Sequence, residues 1–217
     1  MANKLLIANF NGADGAITYV AETKQVATFI GNAQLDQGIK WGGLASLLLD
    51  SAGDHVRFAD FPNLSFGTGA FTIRGKFYFH ANKLEYLFGR LKDSTGNWND
   101  LLFYSNHLYV YIADIEIINV VFIPDLDIFY DIELGRDASG NVYLFVNGDI
   151  IATGINNSDI ISNNPFQVGD GGESSFSFNG SIDAFEIYEG CLHTSKFIPP
   201  IIESKVGFAY SQAVIIG

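Results

Sequence analysis

The 217-residue sequence has only one cysteine, Cys191, and 5 prolines. An intramolecular disulfide is therefore excluded, and folding does not depend on an oxidising compartment, which favours synthesis and folding in a cytoplasm. Long apolar runs are also missing, since no window approaches the about 18 consecutive apolar residues of a membrane-spanning helix. The apolar run after Lys4 is too short for the core of a signal peptide. We therefore expect neither a membrane span nor a secretory leader.

Basic residues are scarce. The chain has 12 Lys and Arg against 24 Asp and Glu, which gives a net charge of −12, and it contains no basic run. Nucleic-acid binding needs clustered cations that neutralise phosphates. The charge balance therefore excludes nucleic acid as the expected partner.

Residue patterns typical of zinc sites and phosphate loops are absent too. The histidines His55, His80, His107 and His193 are scattered, whereas a zinc site needs three or four converging ligands. The glycine-rich stretch 169–172 lacks the Lys-Ser/Thr pair of a phosphate-binding loop. No serine stands in a nucleophile-elbow setting, so no nucleophilic catalyst is predicted.

What the chain does have is glycine and aromatic residues, with 23 Gly, 19 Phe and 10 Tyr. The segment from Phe129 to Gly154 alternates apolar and polar residues around two turn sequences. The stretch 137–141 contains residue types that tolerate φ > 0. Asn147-Gly148 is the dipeptide typical of a type I′ two-residue turn. This segment predicts a three-stranded meander.

Further strands are predicted at spacings of roughly ten residues. Residues 44–50 and 55–58 flank a glycine-containing turn and are expected to form a hairpin-like pair. In the run from Phe71 to Phe79, alternate residues share an inward face, and the opposite face, with Arg74 and Lys76, is expected to point outward. The stretch 21–40 shows no helical stripe and is expected to hold a short strand or an irregular excursion.

Many short strands without a convincing amphipathic helix predict an all-β fold, an antiparallel two-sheet β-sandwich of the jelly-roll type. No repeat with a period of about 20–50 residues is visible, which argues against a propeller or solenoid. We assign residues 1–200 to one jelly-roll domain and residues 201–217 to an apolar C-terminal extension.

Four pieces, in order, resemble the concanavalin A-like, laminin-G-like jelly-roll module, and in particular the version found in bacteriophage structural proteins. They are LLIANFNGADG (5–15), SLLLDSAGDHV with FGTGAFTI (46–56 and 66–73), the meander with Arg136-Asp137 (129–148), and FNGSIDAFEIYEGCLHTSKFIPP (178–200). The chain departs from the family pattern where Gly75-Lys76 stand in place of bulky aromatics and Phe129 in place of a tryptophan. The resemblance implies a lectin-like sandwich over nearly the whole chain.

Sandwich glycosidases of similar fold carry a Glu-x-Asp-x-x-Glu pattern on one strand face. The sequence lacks this pattern, and its nearest acids are Asp183, Glu186 and Glu189. Their i, i+3, i+6 spacing sends alternate residues of a regular strand to opposite faces. We therefore expect a protein that is not an enzyme.

Two groups of residues are candidates for ligand binding. Trp98, between Asn97 and Asn99, could stack on a sugar face while the amides bond hydroxyls, or it could be a buried loop anchor. Asp125, Asp127 and Asp131 could offer oxygens to Ca²⁺, which takes about six to eight of them, or form a solvated acidic loop. No other cofactor is expected.

The C-terminal extension is too apolar for a free tail. Its apolar side chains would either complete a sheet edge of the same domain or reach a neighbouring subunit by strand addition. The residues assigned to this assembly arm are Phe208, Tyr210, Val214, Ile215 and Ile216.

The resemblance to the phage-type module, with the absence of a signal and of a catalytic set, implies a non-enzymatic bacteriophage virion protein, a capsid decoration or tail-associated module that assembles with other virion proteins or with copies of itself. Its expected location is the virion, after synthesis in the host cytoplasm. The alternative is a carbohydrate-binding, lectin-like module that recognises a host or environmental glycan. Binding to a glycan array separates the two hypotheses.

Overall fold

The computed structural model describes residues 2–50, 53–59, 64–90, 99–104, 106–160, 165–171 and 176–200. Within these ranges the regular structure consists of sixteen β-strands. No helix in these ranges is long and apolar enough to cross a membrane.

The strands follow one another in chain order with short connections. They are β1 Asn3–Ala8, β2 Thr18–Val20, β3 Val26–Ile30, β4 Gln34–Asp36, β5 Ser46–Asp50, β6 His55–Phe58, β7 Phe71–Phe79, β8 Glu85–Arg90, β9 Asn99–Tyr104, β10 His107–Ile112, β11 Ile115–Val121, β12 Phe129–Arg136, β13 Asn141–Val146, β14 Asp149–Ile155, β15 Phe166–Val168 and β16 Asn179–Glu189.

The strands form two antiparallel sheets. Sheet A has the order β14-β13-β12-β7-β16-β5-β4, and β1 also pairs with β16. Sheet B has the order β11-β10-β9-β8-β15-β6-β3-β2. The predicted all-β, two-sheet antiparallel sandwich is confirmed.

The core between the sheets is rich in phenylalanine. Phe77 and Phe79 on sheet A each pack edge-on against Phe178, with ring centroids 5.8 and 5.1 Å apart. Phe88 on sheet B packs against Phe185 of sheet A at 5.8 Å. Aromatic rings at these separations and tilts add specific packing energy to the burial of their large apolar area.

Gly75 explains one departure from the family pattern. A Cβ at this position would lie 3.0 Å from Phe185 and 3.1 Å from Phe77. The missing side chain therefore makes room for two core rings on the inner side of β7.

The predicted meander is formed by β12, β13 and β14, and the predicted turn joins the last two. Asn147 and Gly148 have φ of 51° and 81°, and positive φ at both central residues is the property of a type I′ turn. At the first turn, the Asp137 carboxylate accepts hydrogen bonds from the backbone N–H groups of Ser139 and Asn141 at 2.8 and 2.9 Å.

The expected pair of residues 44–50 and 55–58 is not a hairpin. β5 pairs with β16 and β4 in sheet A, whereas β6 pairs with β3 and β15 in sheet B. The turn between them carries the chain from one sheet to the other. Asp54 assists this crossing, because its carboxylate accepts hydrogen bonds from the backbone N–H groups of Asn32 and Asp50.

Arg136, at the end of β12, is fully buried and joins two loops. Its guanidinium donates to the backbone carbonyls of Gly67 and Gly69 at 2.6 and 2.8 Å and to that of Ser158 at 2.9 Å. It also lies 5.2 Å from the centre of the Phe71 ring. A buried guanidinium is stable only when its donors are bonded, and here the loop backbone bonds them.

Candidate functional site

Charged side chains lie on the outer face of sheet A, opposite the core. Phe71, Ile73, Phe77 and Phe79 of β7 point into the core as predicted. Arg74 and Lys76 point to the other face, but this face is not simply exposed, since Lys76 is only 5% accessible. Residues before β5 and after β16 cover parts of it, as described below.

The strands beside β7 place carboxylates next to both cations. On β12, Asp131 lies opposite Lys76 and Glu133 opposite Arg74. Residues directly opposite in an antiparallel pair share a face and come close enough to interact. The register therefore places the two cations of β7 beside the two carboxylates of β12.

β16 supplies a second set of carboxylates, because it is not regular. Its register against β7 shifts between Asp183 and Glu186, and Ala184 has φ of 46°. Asp183 is consequently paired with Lys76 and Glu186 with Arg74. The prediction that the spacing sends Asp183 and Glu186 to opposite faces was wrong, because a β-bulge adds a residue and restores the shared face.

The cations and carboxylates form close ion pairs. The Arg74 guanidinium bonds Glu186 with Nη2 and Nε each 2.5 Å from Oε2, and its Nη1 lies 3.8 Å from Glu133. The Lys76 ammonium bonds Asp131, and each of these two side chains is 6% exposed. Removal of one member of such a buried pair leaves an uncompensated charge.

Trp41 covers the site from the loop before β5. Its backbone N–H donates to the Asp183 carboxylate at 2.9 Å, and its ring centre lies 4.9 Å from Lys76 Nζ, within the range of a cation–π contact. The ring also packs edge-on against Phe129 at 5.7 Å. The indole N–H is buried and has no hydrogen-bond partner among the described residues.

The segment after β16 covers the other end of the face. His193 Nδ1 lies 2.8 and 3.0 Å from the two carboxylate oxygens of Glu133. The His193 ring stacks on Phe197 at 3.6 Å, and the Phe197 N–H donates to the carbonyl of Gly148. Glu133 is thereby fully buried between a cation and an imidazole.

Beside the ion pairs lies a groove of about 270 Å³, which we call the charged groove. Its lining residues are Lys4, Asn9, Arg74, Gly75, Lys76, Asp131, Ala184, Glu186, Tyr188 and Pro200. Asp131 Oδ1 is buried and has no hydrogen-bond partner among the described residues. Among the lining side chains, the Glu186 carboxylate lies beside the fixed donors of Arg74.

Burial shifts several pKa values here. It raises the pKa of the Asp183 carboxyl, although backbone N–H groups and Lys76 oppose the shift. It raises the pKa of the Glu133 carboxyl in the same way, against the opposing effect of His193 and Arg74. Burial and the Glu186 carboxylate together raise the pKa of Tyr188 to about 12. The Tyr188 hydroxyl therefore keeps its proton and donates to Glu186 at 3.0 Å.

The residues predicted to bind a glycan lie mostly outside the described part of the chain. Asn97 and Trp98 belong to the undescribed stretch before β9, and Asn99 begins β9 with its side chain outside the described set. The assembly-arm residues Phe208, Tyr210, Val214, Ile215 and Ile216 also lie outside it.

The three aspartates proposed for Ca²⁺ have separate environments. Asp131 bonds Lys76, Asp127 lies 2.9 Å from His80 Nδ1, and the Asp125 N–H donates to the Tyr130 hydroxyl. In the described ranges, no three His, Cys, Asp or Glu side chains are grouped so that they could hold a metal ion. The spacing of the aspartates thus does not bring them together as a set of ligands.

The charged groove was missed by sequence reasoning, although a signal exists. Arg74-x-Lys76 and Asp131-x-Glu133 each place two like charges on one face of a strand, and the two pairs have opposite sign. If β7 and β12 are predicted to be neighbours, this pattern predicts two cross-strand ion pairs. The sequence contains no comparable pattern that predicts the bulge in β16.

Solved structures with the same fold include several binding domains. Domain 4 of AbnA, a GH43 extracellular arabinanase from Geobacillus stearothermophilus in complex with arabinotriose, is 19% identical with a TM-score of 0.69, covering 88% of this chain and 95% of that one. The binding domain of Paraclostridial Mosquitocidal Protein 1 is 16% identical with a TM-score of 0.66, covering 88% of this chain and 50% of that one. The botulinum neurotoxin serotype D binding domain is 12% identical with a TM-score of 0.66, covering 88% and 48%. The chain thus spans about half of each toxin binding domain.

No curated protein matches the sequence significantly. The sequence model of the concanavalin A-like lectin/glucanases superfamily, in its laminin G version, matches residues 50–196, which include the meander and β16. This stretch is more than half of the chain, and it contains most of the residues that line the charged groove. The chain belongs to the concanavalin A-like lectin/glucanases superfamily.

Proposed function

We propose that this protein is a non-enzymatic carbohydrate-binding module and that its glycan binds in the charged groove. The observation that carries the proposal is a groove of about 270 Å³ lined by charged side chains that rigid strands and mutual ion pairs hold in place. Ligand sites are typically concave and contain a few convergent polar groups. The proposal rests on this site and not on the fold, because the fold alone hosts many functions.

The chemistry of the groove suits a hydroxyl-rich ligand. Sugar hydroxyls both donate and accept hydrogen bonds, and Arg74 offers donors beside the acceptor oxygens of Glu186. Tyr188 lines the groove, but its ring is 6% exposed and lies under the Arg74 guanidinium, 5.6 Å from the ring centre, so hydrogen bonds rather than ring stacking would hold the sugar. Lining cations and carboxylates are nearly balanced, which favours a neutral sugar over a phosphate or a metal ion.

The structural relatives support the same class of ligand. The arabinanase domain, with a TM-score of 0.69, is described in complex with arabinotriose. A binding role rather than hydrolysis is also supported by the ion pairs, since Asp131 and Glu186 each bond a neighbouring cation. A general acid must instead hold a proton to deliver to the leaving group.

A glycan array that includes arabinan oligosaccharides tests the proposal. The wild-type chain is expected to bind one or more neutral oligosaccharides. Glu186→Gln, which keeps the side-chain shape but weakens the fixed charge pattern, is expected to lose about ten-fold or more in affinity. Lys196→Met is the control, because Lys196 is 74% exposed, pairs with Asp149 at the surface and does not line the groove. Absence of binding to every glycan, or equal binding by Glu186→Gln, would overturn the proposal.

A second candidate function is the virion role predicted from the sequence. It is favoured by exposed apolar side chains on β11 and just after it, with Ile115, Val121 and Ile123 at 53, 63 and 65% accessibility. β11 is the edge strand of sheet B, and an apolar edge strand is a ready site for protein–protein pairing. Mass spectrometry of purified phage particles tests this candidate together with the predicted virion location. Presence of the chain at a fixed copy number would support it, and consistent absence would reject it.

A further inference from the structure

The outer face of sheet B carries a row of aromatic rings. The charged groove lies on the other sheet, sheet A. Along β10, Leu108, Val110 and Ile112 are buried in the core. His107, Tyr109 and Tyr111 alternate with them and therefore lie on the outer face, where each is partly exposed. Their ring centroids are 5.9 and 6.4 Å apart, and successive ring planes differ by only 26° and 17°.

Polar side chains of β11 hold these rings in place. The His107 ring nitrogen Nδ1 lies 2.6 Å from Asn119 Oδ1, and the Tyr111 hydroxyl donates to Glu116 Oε2 at 3.0 Å. Asn119 and Glu116 lie close to each other as well, with Nδ2 and Oε1 3.5 Å apart. The row is thus fixed at both ends by a polar chain on the neighbouring strand, so little ordering cost remains when a ligand binds.

β9 widens the surface on the other side. Tyr104 lies opposite His107 in the antiparallel register and is 49% exposed. Tyrosine is enriched at interfaces, because its ring is apolar and its hydroxyl polar, so a cluster of such rings on one face is typical of a binding surface. We call Tyr104, His107, Tyr109 and Tyr111 the aromatic row.

The side chains in and beside the aromatic row indicate the class of ligand. Ring faces suit the apolar faces of sugar rings, while the adjacent amide of Asn119 and carboxylate of Glu116 suit sugar hydroxyls. Glu116 and the net charge of −12 disfavour an acidic polymer. A row of rings at every second residue along one strand fits an extended chain rather than a single sugar, because successive rings contact successive units.

We propose that the aromatic row is a second carbohydrate-binding surface, which takes an extended neutral polysaccharide along β10. The class of ligand rests on the proposed function of the charged groove, but the surface lies on the opposite sheet and uses different residues. Two sites on opposite sheets would let one module bridge polysaccharide chains or hold one chain with higher avidity.

Affinity electrophoresis in gels that contain arabinan, xylan or hydroxyethyl cellulose tests this proposal with the full-length chain. Tyr109→Ala is expected to weaken retention by about ten-fold, and Tyr109→Phe, which keeps the ring, is expected to retain most of it. Tyr143→Ala is the matched control, because Tyr143 stacks beside Phe145 in the same i, i+2 arrangement on sheet A. Thermal melting confirms that each variant is folded.

The two proposals fail separately. If Glu186→Gln loses short-oligosaccharide binding while Tyr109→Ala is retained like wild type, the aromatic-row proposal is overturned and the groove proposal stands. If Tyr109→Ala loses polysaccharide retention while Glu186→Gln binds short oligosaccharides normally, the aromatic row is supported and the groove proposal fails. Absence of retention of the wild-type chain in every gel would overturn the aromatic-row proposal.

Discussion

Two arginines of this domain are removed from solvent in different ways. Arg136 is fully buried, and its guanidinium donates to backbone carbonyls of Gly67, Gly69 and Ser158. The Arg74 side chain is 16% exposed and bonds the side chains of Glu186 and Glu133 beside an open groove. Both are charged residues in a low-exposure environment, yet only one of them faces space that a ligand can enter.

The difference in partners distinguishes a charged residue that stabilises the fold from one that can bind a ligand. Removal of Arg136 takes guanidinium hydrogen bonds from carbonyls in two loops, and of these the Gly67 carbonyl keeps only the bond from the Ile160 N–H among those described, so that cluster contributes to stability. Carboxylate partners in the groove can share their remaining acceptor capacity with an incoming hydroxyl. We therefore expect substitutions at Arg136 to affect folding and substitutions around Arg74 to affect binding.

The largest expected effect is at Arg136. Arg136→Met should lower the free energy of unfolding by about 4 kcal/mol, because buried carbonyls lose their donors. Arg136→Lys should recover little, since an ammonium cannot reach both loops with the same fork of donors. Urea denaturation measures the change. A loss below about 1 kcal/mol for Arg136→Met would show that the loops do not depend on this side chain.

Glu85 sharpens the comparison, because it is a buried carboxyl whose pKa is dominated by burial rather than by its partners. It is fully buried, and burial raises its pKa to about 8, although Lys83 and the backbone of Asn179 oppose the shift. The folded state therefore holds a proton that the unfolded state loses near the ordinary pKa of about 4.3.

The contribution of Glu85 to the free energy of unfolding should therefore be fully present below that ordinary pKa. It should fall as the pH rises towards 8. From pH 5 to pH 8 the expected loss is about 3 kcal/mol. Glu85→Gln should remove this dependence and be the more stable protein at pH 8. Chemical denaturation at several pH values measures it, and a wild-type stability that rises between pH 5 and 8 would contradict the assigned pKa shift.

A similar effect is expected for the Lys76–Asp131 pair. Lys76→Met alone should lower the free energy of unfolding by about 3 kcal/mol, because it leaves the Asp131 carboxylate buried without its cation. The double variant Lys76→Met, Asp131→Leu should return to within about 1 kcal/mol of wild type, since a packed apolar pair replaces a desolvated ion pair at little cost. A double-mutant cycle tests both statements. An additive double variant would mean that the two charges do not stabilise each other.

The smallest expected effect is at the first meander turn. Asp137→Ala removes the acceptor of the Ser139 and Asn141 N–H groups and should lower the Tm by about 2–4 °C. Hydrogen bonds from Asn141 also lower the Asp137 pKa, so this contribution is present above its ordinary value and is lost as the pH falls through the lowered one. Melting curves should therefore converge for the two proteins in strong acid.

Sequence reasoning identified those parts of the fold that local chemistry determines. The meander and its Asn147-Gly148 turn were predictable, because positive φ and strand alternation are encoded in a few adjacent residues. The crossing between β5 and β6 was not, since a hairpin and a change of sheet use the same turn residues. Whether the Trp98 loop or residues 201–217 bind a partner stays a prediction.

The site was harder to predict than the fold for a specific physical reason. Its ion pairs depend on the strand order β12-β7-β16 and on the bulge at Ala184, which brings Asp183 and Glu186 to one face. Neither feature can be read from residue spacing, because a single inserted residue reverses the face of every side chain that follows. The charge pattern of β7 and β12 becomes informative only after the strands are paired.

The central claim is that a glycan occupies the charged groove. The most direct test is an NMR titration of the isotope-labelled chain with the neutral oligosaccharide that binds best on the array. We expect the largest chemical-shift changes at the side chain of Arg74 and the backbone N–H groups of Gly75, Lys76 and Tyr188, with saturation at one equivalent. Saturable shifts confined to other surfaces, with these four residues unchanged, would contradict the claim.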